Sequence, residues 1–327
     1  MADTGYTGLG KVTINTNVAS SGGGSGWTGH ADVEGLKAIG WTDEDIAYYQ
    51  ENGVNWNAED DEYHKVTDDN KALYGVLTAD NIQTYKDRIV YLPKIDTSAK
   101  TSMSNVFNSC YPLVAIPQLD TAKVTSMSQM FYNCRSLVSI PQLNTQNVTN
   151  MYQMFYQCDS LVAIPQLDTA KVTSMSYMFY YCYSLVSIPQ LDTQNVTEMG
   201  NMFTYCRSLV SIPQLNTQNV TNIGSMFNGC YSLVAIPQLD TRNIVSMSST
   251  FQNCYSLVVA NLKNAKLAYQ LNNSALLSKE SLLYIINNEA ATSAITIKLA
   301  SYAYTRLSND ADIVAALANH PNISISQ

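Results

Sequence analysis

Two residue types recur at one spacing along the middle of the chain, and this spacing limits what the chain can fold into. The cysteines of the 327-residue sequence recur with a constant 24-residue period, and every phenylalanine lies three positions before a cysteine. The cysteines are Cys110, Cys134, Cys158, Cys182, Cys206, Cys230 and Cys254. Self-similarity at a fixed period of this length is typical of repeat architectures. The period therefore argues against a conventional single-core enzyme between residues 93 and 260 and predicts seven stacked units.

One unit, Pro141 to Ile164, shows the pattern that the other units share. It reads PQLNTQNVTNMYQMFYQCDSLVAI, and so short a unit cannot bury its apolar positions alone. Stacked at roughly 4.7–5 Å per coil, each row of apolar side chains would cover the next. We therefore expect an α/β repeat solenoid of the leucine-rich-repeat type.

Within the unit, three local structures are predicted. The Ser-Leu-Val-Ala/Ser-Ile segment favours a short parallel strand that ends at proline, because proline cannot donate to a ladder. The segment from Asn147 to Tyr156 has its apolar residues at helical or 3₁₀ spacing. The Leu-Asp/Asn-Thr segment is typical of a corner, where Asp168 or Asn144 can bond its own backbone.

The pattern LDT-x-x-V-T-x-M-x-x-MF-x-x-C-x-SL-V-x-I closely resembles the BspA-like leucine-rich repeats of surface proteins from gut and oral bacteria and from their phages. It recurs in seven units and covers about half of the chain. At the ends the pattern degrades, with Lys100 in the valine column, Val106 and Thr250 in a methionine column and Ala260 in the isoleucine column. Atypical terminal units are what a capped solenoid requires.

Two segments precede the repeats. Residues 1–30 contain an alternating strand pattern followed by the linker SSGGGSG, which together predict an arm and a flexible tether. The string Gly-Tyr-x-Gly-Leu-x-x-Val-Thr-Ile in this segment resembles a short β element of phage tail and fibre proteins. Residues 31–92 are strongly acidic, with a helix predicted from Asn81 to Arg88 and a strand from Ile89 to Leu92. We expect an acidic helical cap or spacer there.

Residues 261–327 are predicted to form a small α/β domain that covers the last coil. Ser278 is a suitable N-cap for a helix that follows it. The remaining patterns predict a strand, two helices and a closing strand at Ile295–Leu299, Ser301–Leu307, Ala311–His320 and Asn322–Ser326. The segment resembles the C-terminal module that follows such repeats in phage-encoded proteins.

The cysteine column is interpreted as a ladder of buried thiols. Neighbouring coils would bring cysteines within disulfide range, but their number is odd and all share one environment between core Phe and core Leu. No histidine falls within the repeats and no Cys-x₂-Cys occurs, which disfavours zinc. We expect no metal and no cofactor. For the acidic run from Glu59 to Glu62 a solvated face is favoured over a cation site, and the sequence leaves the choice open.

A carboxylate column raises the alternative of a glycan-cleaving enzyme. Adjacent members such as Asp168 and Asp192 could lie about 5 Å apart, the separation that retaining glycosidases use. However, Asn144 and Asn216 replace aspartate in the same column, and no neighbour would separate the two pKa values. We therefore expect no enzymatic activity. The alternative would require that Asp168→Asn and Asp192→Asn remove turnover.

The residues beside each cysteine vary while the core columns stay constant, so they are expected to face outward. Tyrosine supplies apolar area and a hydroxyl group at low entropic cost, as in binding surfaces. This tyrosine belt predicts a ligand surface for a glycan or a protein, and its residues are Tyr156, Tyr177, Tyr180, Tyr181, Tyr183, Tyr205, Arg207 and Tyr231. The alternative is that the tyrosines only shield the edge of the stack.

The function class follows from what the sequence lacks together with the resemblance. The N-terminus has neither the basic start nor the apolar run of a signal peptide, no stretch approaches the ~18–20 apolar residues of a membrane span, and no segment is basic enough to bind nucleic acid. We predict a structural and adhesive bacteriophage virion protein, such as a tail, collar or head fibre. Its N-terminal arm would bind other virion proteins and its repeats the host surface. The alternative is a bacterial cell-surface adhesin, and the sequence does not decide whether the chain forms a homo-oligomer.

Overall fold

A computed structural model describes residues 78–87, 89, 92, 95–288 and 294–327. The predicted arm and tether at 1–30 and nearly all of the acidic segment at 31–92 lie outside the described residues. The described part of that segment contains a 3₁₀ helix at Ile82–Tyr85, inside the helix predicted from Asn81 to Arg88, while Ile89 and Leu92 lie in no strand. Residues Thr78–Tyr91 and Ile95–Gln327 form one compact unit, and all further description concerns that unit.

Parallel backbone pairing joins each coil of the repeats to the next at the same position. Successive bridges link Ser102, Ser126, Asn150, Ser174, Glu198, Asn222 and Ser246, each one repeat period from its neighbour. A second ladder runs through the valine after the core leucine, where the amide of Val162 donates to the carbonyl of Val138 at 3.2 Å and the amide of Val186 donates to Val162 at 3.1 Å. The predicted repeat solenoid is therefore present, and one coil corresponds to one sequence repeat.

The helix predicted from Asn147 to Tyr156 is wrong, because this segment is a run of turns. Its amide groups alternate between two kinds of partner. The amide of Gln153 donates to the carbonyl of Ser176 in the next coil at 3.1 Å, and the amide of Met154 donates back to Met151 at 3.2 Å. An α-helix needs every amide for its own i−4 carbonyl, so a segment that gives alternate amides to a neighbouring coil cannot be helical.

The alternation requires a left-handed backbone at two positions in each coil, one and five residues before each cysteine. Gln153 and Gln157, for example, both have a φ of 55°. The equivalent residues are Asn105, Ser109, Gln129, Asn133, Tyr177, Tyr181, Asn201, Tyr205, Ser225, Gly229, Ser249 and Asn253. Glycine adopts this conformation without steric cost and asparagine adopts it more readily than other residues.

Regular strands within residues 95–263 are limited to β1 (Ala235–Asp240) and β2 (Val259–Lys263), which pair in parallel. The prediction that proline ends the strand is wrong in β1, where Pro237 lies in the middle of the strand. The register between the two strands shifts between Ile236 and Leu239, and Pro237 lies within this shift. Its nitrogen, which carries no hydrogen, is therefore not required to donate to the ladder.

The interior of the coils consists of columns of identical side chains. The phenylalanine rings are fully buried and stack face to face, with centroids 5.3–6.1 Å apart and interplanar angles of 3–9°. The cysteine column and the leucine column that follows it are buried as well. These columns confirm the predicted core, which no single coil could cover by itself.

The predicted corner is confirmed at the Asp/Asn column. In every coil the side-chain oxygen accepts the amide two residues further on, as between Asp168 and Ala170 at 3.1 Å. The same bond forms at Asp96, Asp120, Asn144, Asp192, Asn216 and Asp240. The next residue ties the corner to the following coil, since the hydroxyl of Thr169 donates to the carbonyl of Asp192 at 2.8 Å.

The C-terminal residues form a three-stranded parallel sheet with three helices. The strands and helices follow one another along the chain as β3 (Tyr269–Leu271), α1 (Lys279–Asn287), β4 (Ile295–Leu299), α2 (Ser301–Leu307), α3 (Ala311–Asn319) and β5 (Ile323–Ser326). The strands lie in the order β3-β4-β5. The predicted helices and two of the strands are confirmed, whereas β3 was not predicted. The predicted N-cap is confirmed as well, because the Ser278 hydroxyl accepts the amide of Ser281 at 3.1 Å.

Helix α1 lies against β2 and supplies partners for backbone groups of the last coil. The Ser281 hydroxyl accepts the amide of Ala260 at 2.8 Å, and the amide of Ser278 donates to the carbonyl of Val258 at 2.8 Å. A further bond runs from the amide of Asn264 to the carbonyl of Asn288 at 2.8 Å. Within the part of the chain that the structure describes, no helix is long and apolar enough to cross a bilayer.

Removal of one ring from the phenylalanine column should destabilise the whole stack. We expect Phe179→Ala to lower the free energy of unfolding by about 3–5 kcal/mol, because it opens a cavity between coils that the backbone ladders hold apart. Denaturant unfolding followed by circular dichroism measures the change. Val245→Ala is the control, since Val245 is 76% exposed and its truncation should change stability by less than about 0.5 kcal/mol. A loss below about 1 kcal/mol for Phe179→Ala would contradict the core assignment.

Candidate binding surface

The residues of the tyrosine belt lie together on one side of the coils, because they occupy positions close to the buried cysteine column. Each of its tyrosines is half-buried, and Arg207 is exposed. Their side chains form one connected cluster that extends over the central coils. The structure therefore brings together the residues that the sequence singled out, and it adds how the rings are arranged.

The first part of the belt is a stack of rings from successive coils. Tyr156 lies between Tyr132 and Tyr180, with ring centroids 4.5 and 4.7 Å away and interplanar angles of 8° and 11°. Tyr177 packs against Tyr180 at 5.5 Å, and Tyr152 meets Tyr177 edge to face at 6.0 Å. Tyr132 and Tyr152 were missed as site residues. Tyr132 could have been identified because it lies one period before Tyr156, whereas Tyr152 has no tyrosine in its own column.

A second stack begins where the first one ends. Tyr180 meets Tyr181 edge to face at 4.4 Å, and Tyr181 stacks on Tyr205 at 4.8 Å. The ring of Tyr205 then lies over Gly229, where a Cβ atom would come within 2.5 Å of a ring carbon. Gly229 also has a φ of 76°, so both its backbone and its lack of a side chain suit this position. Tyr156 therefore has a ring on each face, and each of the other stacked tyrosines has one face covered by a ring.

Arg207 joins the last tyrosines to the cluster. Its guanidinium carbon lies 4.4 Å from the ring centre of Tyr183 in the preceding coil and 5.5 Å from that of Tyr231 in the following coil. The ring of Tyr205 is 5.9 Å away. Rings on both sides attract the cation through their electron-rich faces and hold its plane in place. Tyr181 and Tyr183, 5.5 Å apart, connect this group to the second stack.

Three hydroxyl groups of the belt are held in the protonated, donating form. Burial raises the pKa of Tyr156, and its tyrosine neighbours add to the rise. Burial likewise raises the pKa of Tyr180, with a further contribution from its hydrogen bond to Tyr181. Burial also raises the pKa of Tyr183, although Arg207 opposes the change. These three hydroxyl groups therefore stay protonated through the physiological pH range and can both donate and accept hydrogen bonds.

Three belt tyrosines occupy the left-handed backbone positions of the coil. The φ angles of Tyr177, Tyr181 and Tyr205 are 59°, 60° and 60°. For a bulky residue this conformation costs on the order of 1–2 kcal/mol, which a stacked ring pair, worth about 0.5–1.5 kcal/mol, only partly offsets. Asparagine and glycine, which fit the conformation better, stand at equivalent positions of other coils as Asn133 and Gly229. Folding of the coil therefore does not by itself explain tyrosine here.

The thiols confirm the interpretation of the cysteine column as core. All seven are buried and free. Each from Cys134 onward donates to the phenylalanine carbonyl of the preceding coil at 2.9–3.1 Å, as between Cys182 and Phe155. Burial raises the pKa of Cys110 and of Cys254 to about 12. Nucleophilic chemistry needs a thiolate, so these residues are unsuited to it.

A polar groove of about 760 Å³ lies along the corners of the coils. Three of its glutamines donate their side-chain amides to the backbone of the next coil, as Gln166 does to the carbonyl of Gln190 at 2.6 Å. Asp168 and Asp192, the carboxylates considered for catalysis, each accept a backbone amide of their own corner. Arg242 at the end of the groove is paired with Asp240 at 2.6 Å. Among the described residues, no group of three His, Cys, Asp or Glu side chains could hold a metal ion.

These features define a non-helical repeat solenoid with one tyrosine-rich side. The family model described as "Mycoplasma protein of unknown function, DUF285" matches residues 80–185 and 161–265, which together exceed half of the chain. The chain therefore belongs to the DUF285 family, in agreement with the resemblance of its repeats to BspA-like leucine-rich repeats. The chain is also similar to a crystal structure of a leucine-rich repeat protein from T. pallidum, with 24% identity over 51% of this chain and 76% of that chain and a TM-score of 0.41. No curated protein shows a significant match.

The thiol column predicts a specific pattern of chemical reactivity. At pH 8 the native protein should react with a thiol reagent far more slowly than the protein in denaturant, because burial both raises the thiol pKa and blocks access. All seven thiols should react once the chain is unfolded. Labelling with iodoacetamide followed by mass spectrometry measures both rates. Rapid labelling of Cys182 in the native protein would contradict its burial.

Proposed function

We propose that the chain is a non-enzymatic, adhesion-type protein that binds its ligand through the tyrosine belt. The repeats act as a rigid scaffold, because interlocked ladders and stacked core columns hold each coil against the next. A rigid scaffold limits the entropy lost when exposed side chains engage a ligand. Tyrosine side chains with two rotatable angles add large contact area at low entropic cost.

One observation carries this proposal, namely that Tyr177, Tyr181 and Tyr205 have left-handed backbone angles. The coil imposes this backbone at two positions of every repeat, so the angle by itself does not mark a site. What distinguishes the three positions is a bulky ring in a conformation that asparagine and glycine adopt more readily, and selection for binding can retain such a residue. Edge shielding, the alternative explanation, needs no tyrosine at these positions. Asn201 and Asn253 adopt the same conformation at the equivalent positions of other coils.

The setting that we propose is a bacteriophage particle, with the repeats directed at the host surface and the N-terminal arm bound to other virion proteins. Support comes from the resemblance of the repeats and of both flanks to phage-encoded proteins. Bacterial surface proteins carry similar repeats, so a cell surface is the alternative setting. The adhesive role of the belt is the same in both settings.

A double substitution at the belt separates binding from folding. We expect Tyr181→Asn with Tyr205→Asn to change the free energy of unfolding by less than about 1 kcal/mol, since lost stacking and relieved backbone strain oppose each other. Binding to immobilised glycans and to whole bacterial cells should fall at least ~10-fold, which corresponds to about 1.4 kcal/mol.

Tyr302→Asn is the matched control for this variant, because Tyr302 is 65% exposed and lies on α2, outside the repeats. It should leave binding unchanged. Equal binding by the double variant and the unaltered protein would show that the tyrosines only shield the stack.

The proposed setting has its own test. Antibodies raised against the repeats should label purified virions of the source phage in electron microscopy, at a defined position on the particle. Labelling of bacterial envelopes with none on particles would move the protein to the cell surface and overturn the virion setting, while the binding role of the belt would stand.

A further inference from the structure

Arg207 differs from the other arginines of the described repeats in having no polar partner. Arg135 donates to the side chain of Asn133 at 2.9 Å, and Arg242 donates to Asp240 at 2.9 and 2.6 Å. Within the described residues, the guanidinium group of Arg207 has neither an ion pair nor a side-chain hydrogen bond, and its contacts are with tyrosine rings. Its donors are therefore available to a ligand.

The rings prepare this guanidinium for one kind of ligand. Tyr183 and Tyr231 lie on its two sides, so they restrict its orientation without using its N–H groups. A guanidinium fork with free N–H groups can bind an oxyanion through two parallel hydrogen bonds, and a carboxylate or a phosphate group both fit it. The carboxylate is the planar one of the two, so it can lie in the plane of the guanidinium between the flanking rings. The protein has a formal net charge of −8, so general attraction does not draw anions to it, and a bound anion needs a local site such as this one.

Arg135, in the same column, donates to Asn133 and has a carboxylate in its surroundings that Arg207 lacks. Asp159 follows Arg135 by one coil. Burial raises the pKa of Asp159, and Arg135 opposes this rise. At the equivalent position one coil after Arg207 stands Tyr231. The carboxylate that the chain supplies beside Arg135 is thus absent beside Arg207.

The spacing of the belt favours a polysaccharide over an extended peptide as the source of the carboxylate. Within the two stacks, the tyrosine rings of successive coils lie 4.5–4.8 Å apart. Side chains on one face of an extended peptide recur only every ~6.6–6.8 Å. A polysaccharide carries hydroxyl groups along its whole length, so it can form hydrogen bonds with tyrosine hydroxyl groups at this shorter spacing.

From this arrangement we infer that the belt binds a carboxylate-bearing polysaccharide, of the uronic or sialic acid type, with Arg207 holding the carboxylate and the tyrosines holding the flanking sugars. This inference rests on the proposed function and narrows its ligand class. Arg207 is the specificity-determining residue, since the tyrosines alone do not distinguish an acidic sugar from its neutral counterpart.

The test uses the full-length protein and a panel of uronic and sialic acid oligosaccharides, each paired with its carboxyl-reduced neutral form, with polyglutamate as the acidic peptide. The unaltered protein should bind at least one acidic oligosaccharide at least ~10-fold more tightly than its neutral partner, as expected for a charge-assisted bidentate contact. Arg207→Gln should remove that preference, and Arg207→Lys should restore it only in part because lysine lacks the planar fork. Arg135→Gln, the matched control in the same column, should bind within ~2-fold of the unaltered protein.

The possible outcomes separate the inference from the function on which it rests. Equal binding of acidic and neutral oligosaccharides, sensitive to Tyr181→Asn with Tyr205→Asn, would overturn the role of Arg207 and keep the belt as a binding surface. Tighter binding of polyglutamate than of any oligosaccharide would overturn the polysaccharide class. Absence of binding to the whole panel would overturn the inference as well. Thermal unfolding of Arg207→Gln at the temperature of the unaltered protein excludes a folding defect as the cause of a loss.

Discussion

The alternation of backbone hydrogen bonds between adjacent coils is the constraint on which the rest of the structure depends. From the first coil to the sixth, every second amide in the segment before the cysteine donates to the next coil, as from Phe155 to Met178 at 2.9 Å, and the amides between them close turns within the coil. The amides of this segment therefore find partners without a helix or a continuous strand. Because this pattern recurs once per repeat, it places identical side chains directly above one another and so creates the phenylalanine and cysteine columns.

The same constraint shapes the tyrosine belt. It imposes a left-handed backbone one residue before each cysteine, the position of Tyr181 and Tyr205. It also brings column neighbours so close that tyrosines of successive coils stack and an arginine between two tyrosines lies between their rings. A stacked ring has at least one face covered by its neighbour, so the groups that the proposed binding surface offers to a ligand are ring edges, hydroxyl groups and the guanidinium of Arg207. A rigid scaffold with a variable outer column can carry different recognition residues without change to its core.

Parts of the molecule with strong local signals were predictable. The Asp/Asn corners were predictable, because a short carboxylate or amide side chain accepts a hydrogen bond from a backbone amide two residues further on wherever the chain turns. The helices α1 to α3 were also predictable, since an N-cap such as Ser278 and the spacing of the apolar residues are both signals contained in the helix segment itself. The conformation of the segment from Asn147 to Tyr156 was not predictable, because the spacing of its apolar residues suits a helix equally well. A helix is excluded only because alternate amides of the segment donate to carbonyls of the next coil. Strand β3 is three residues long and has no pattern of its own before β4 pairs with it.

The sequence by itself determined the 24-residue period, the identity of the buried columns and the location of the tyrosine belt, because each depends on which residues recur and which vary. Only the tertiary structure decided the backbone conformation of the coil, the covering of the ring faces and the position of Arg207 between Tyr183 and Tyr231. These depend on contacts between residues one repeat apart in sequence, and their geometry is set by the hydrogen bonds that join neighbouring coils. Such bonds form only when a second coil is in place, so no single repeat contains the information that specifies them.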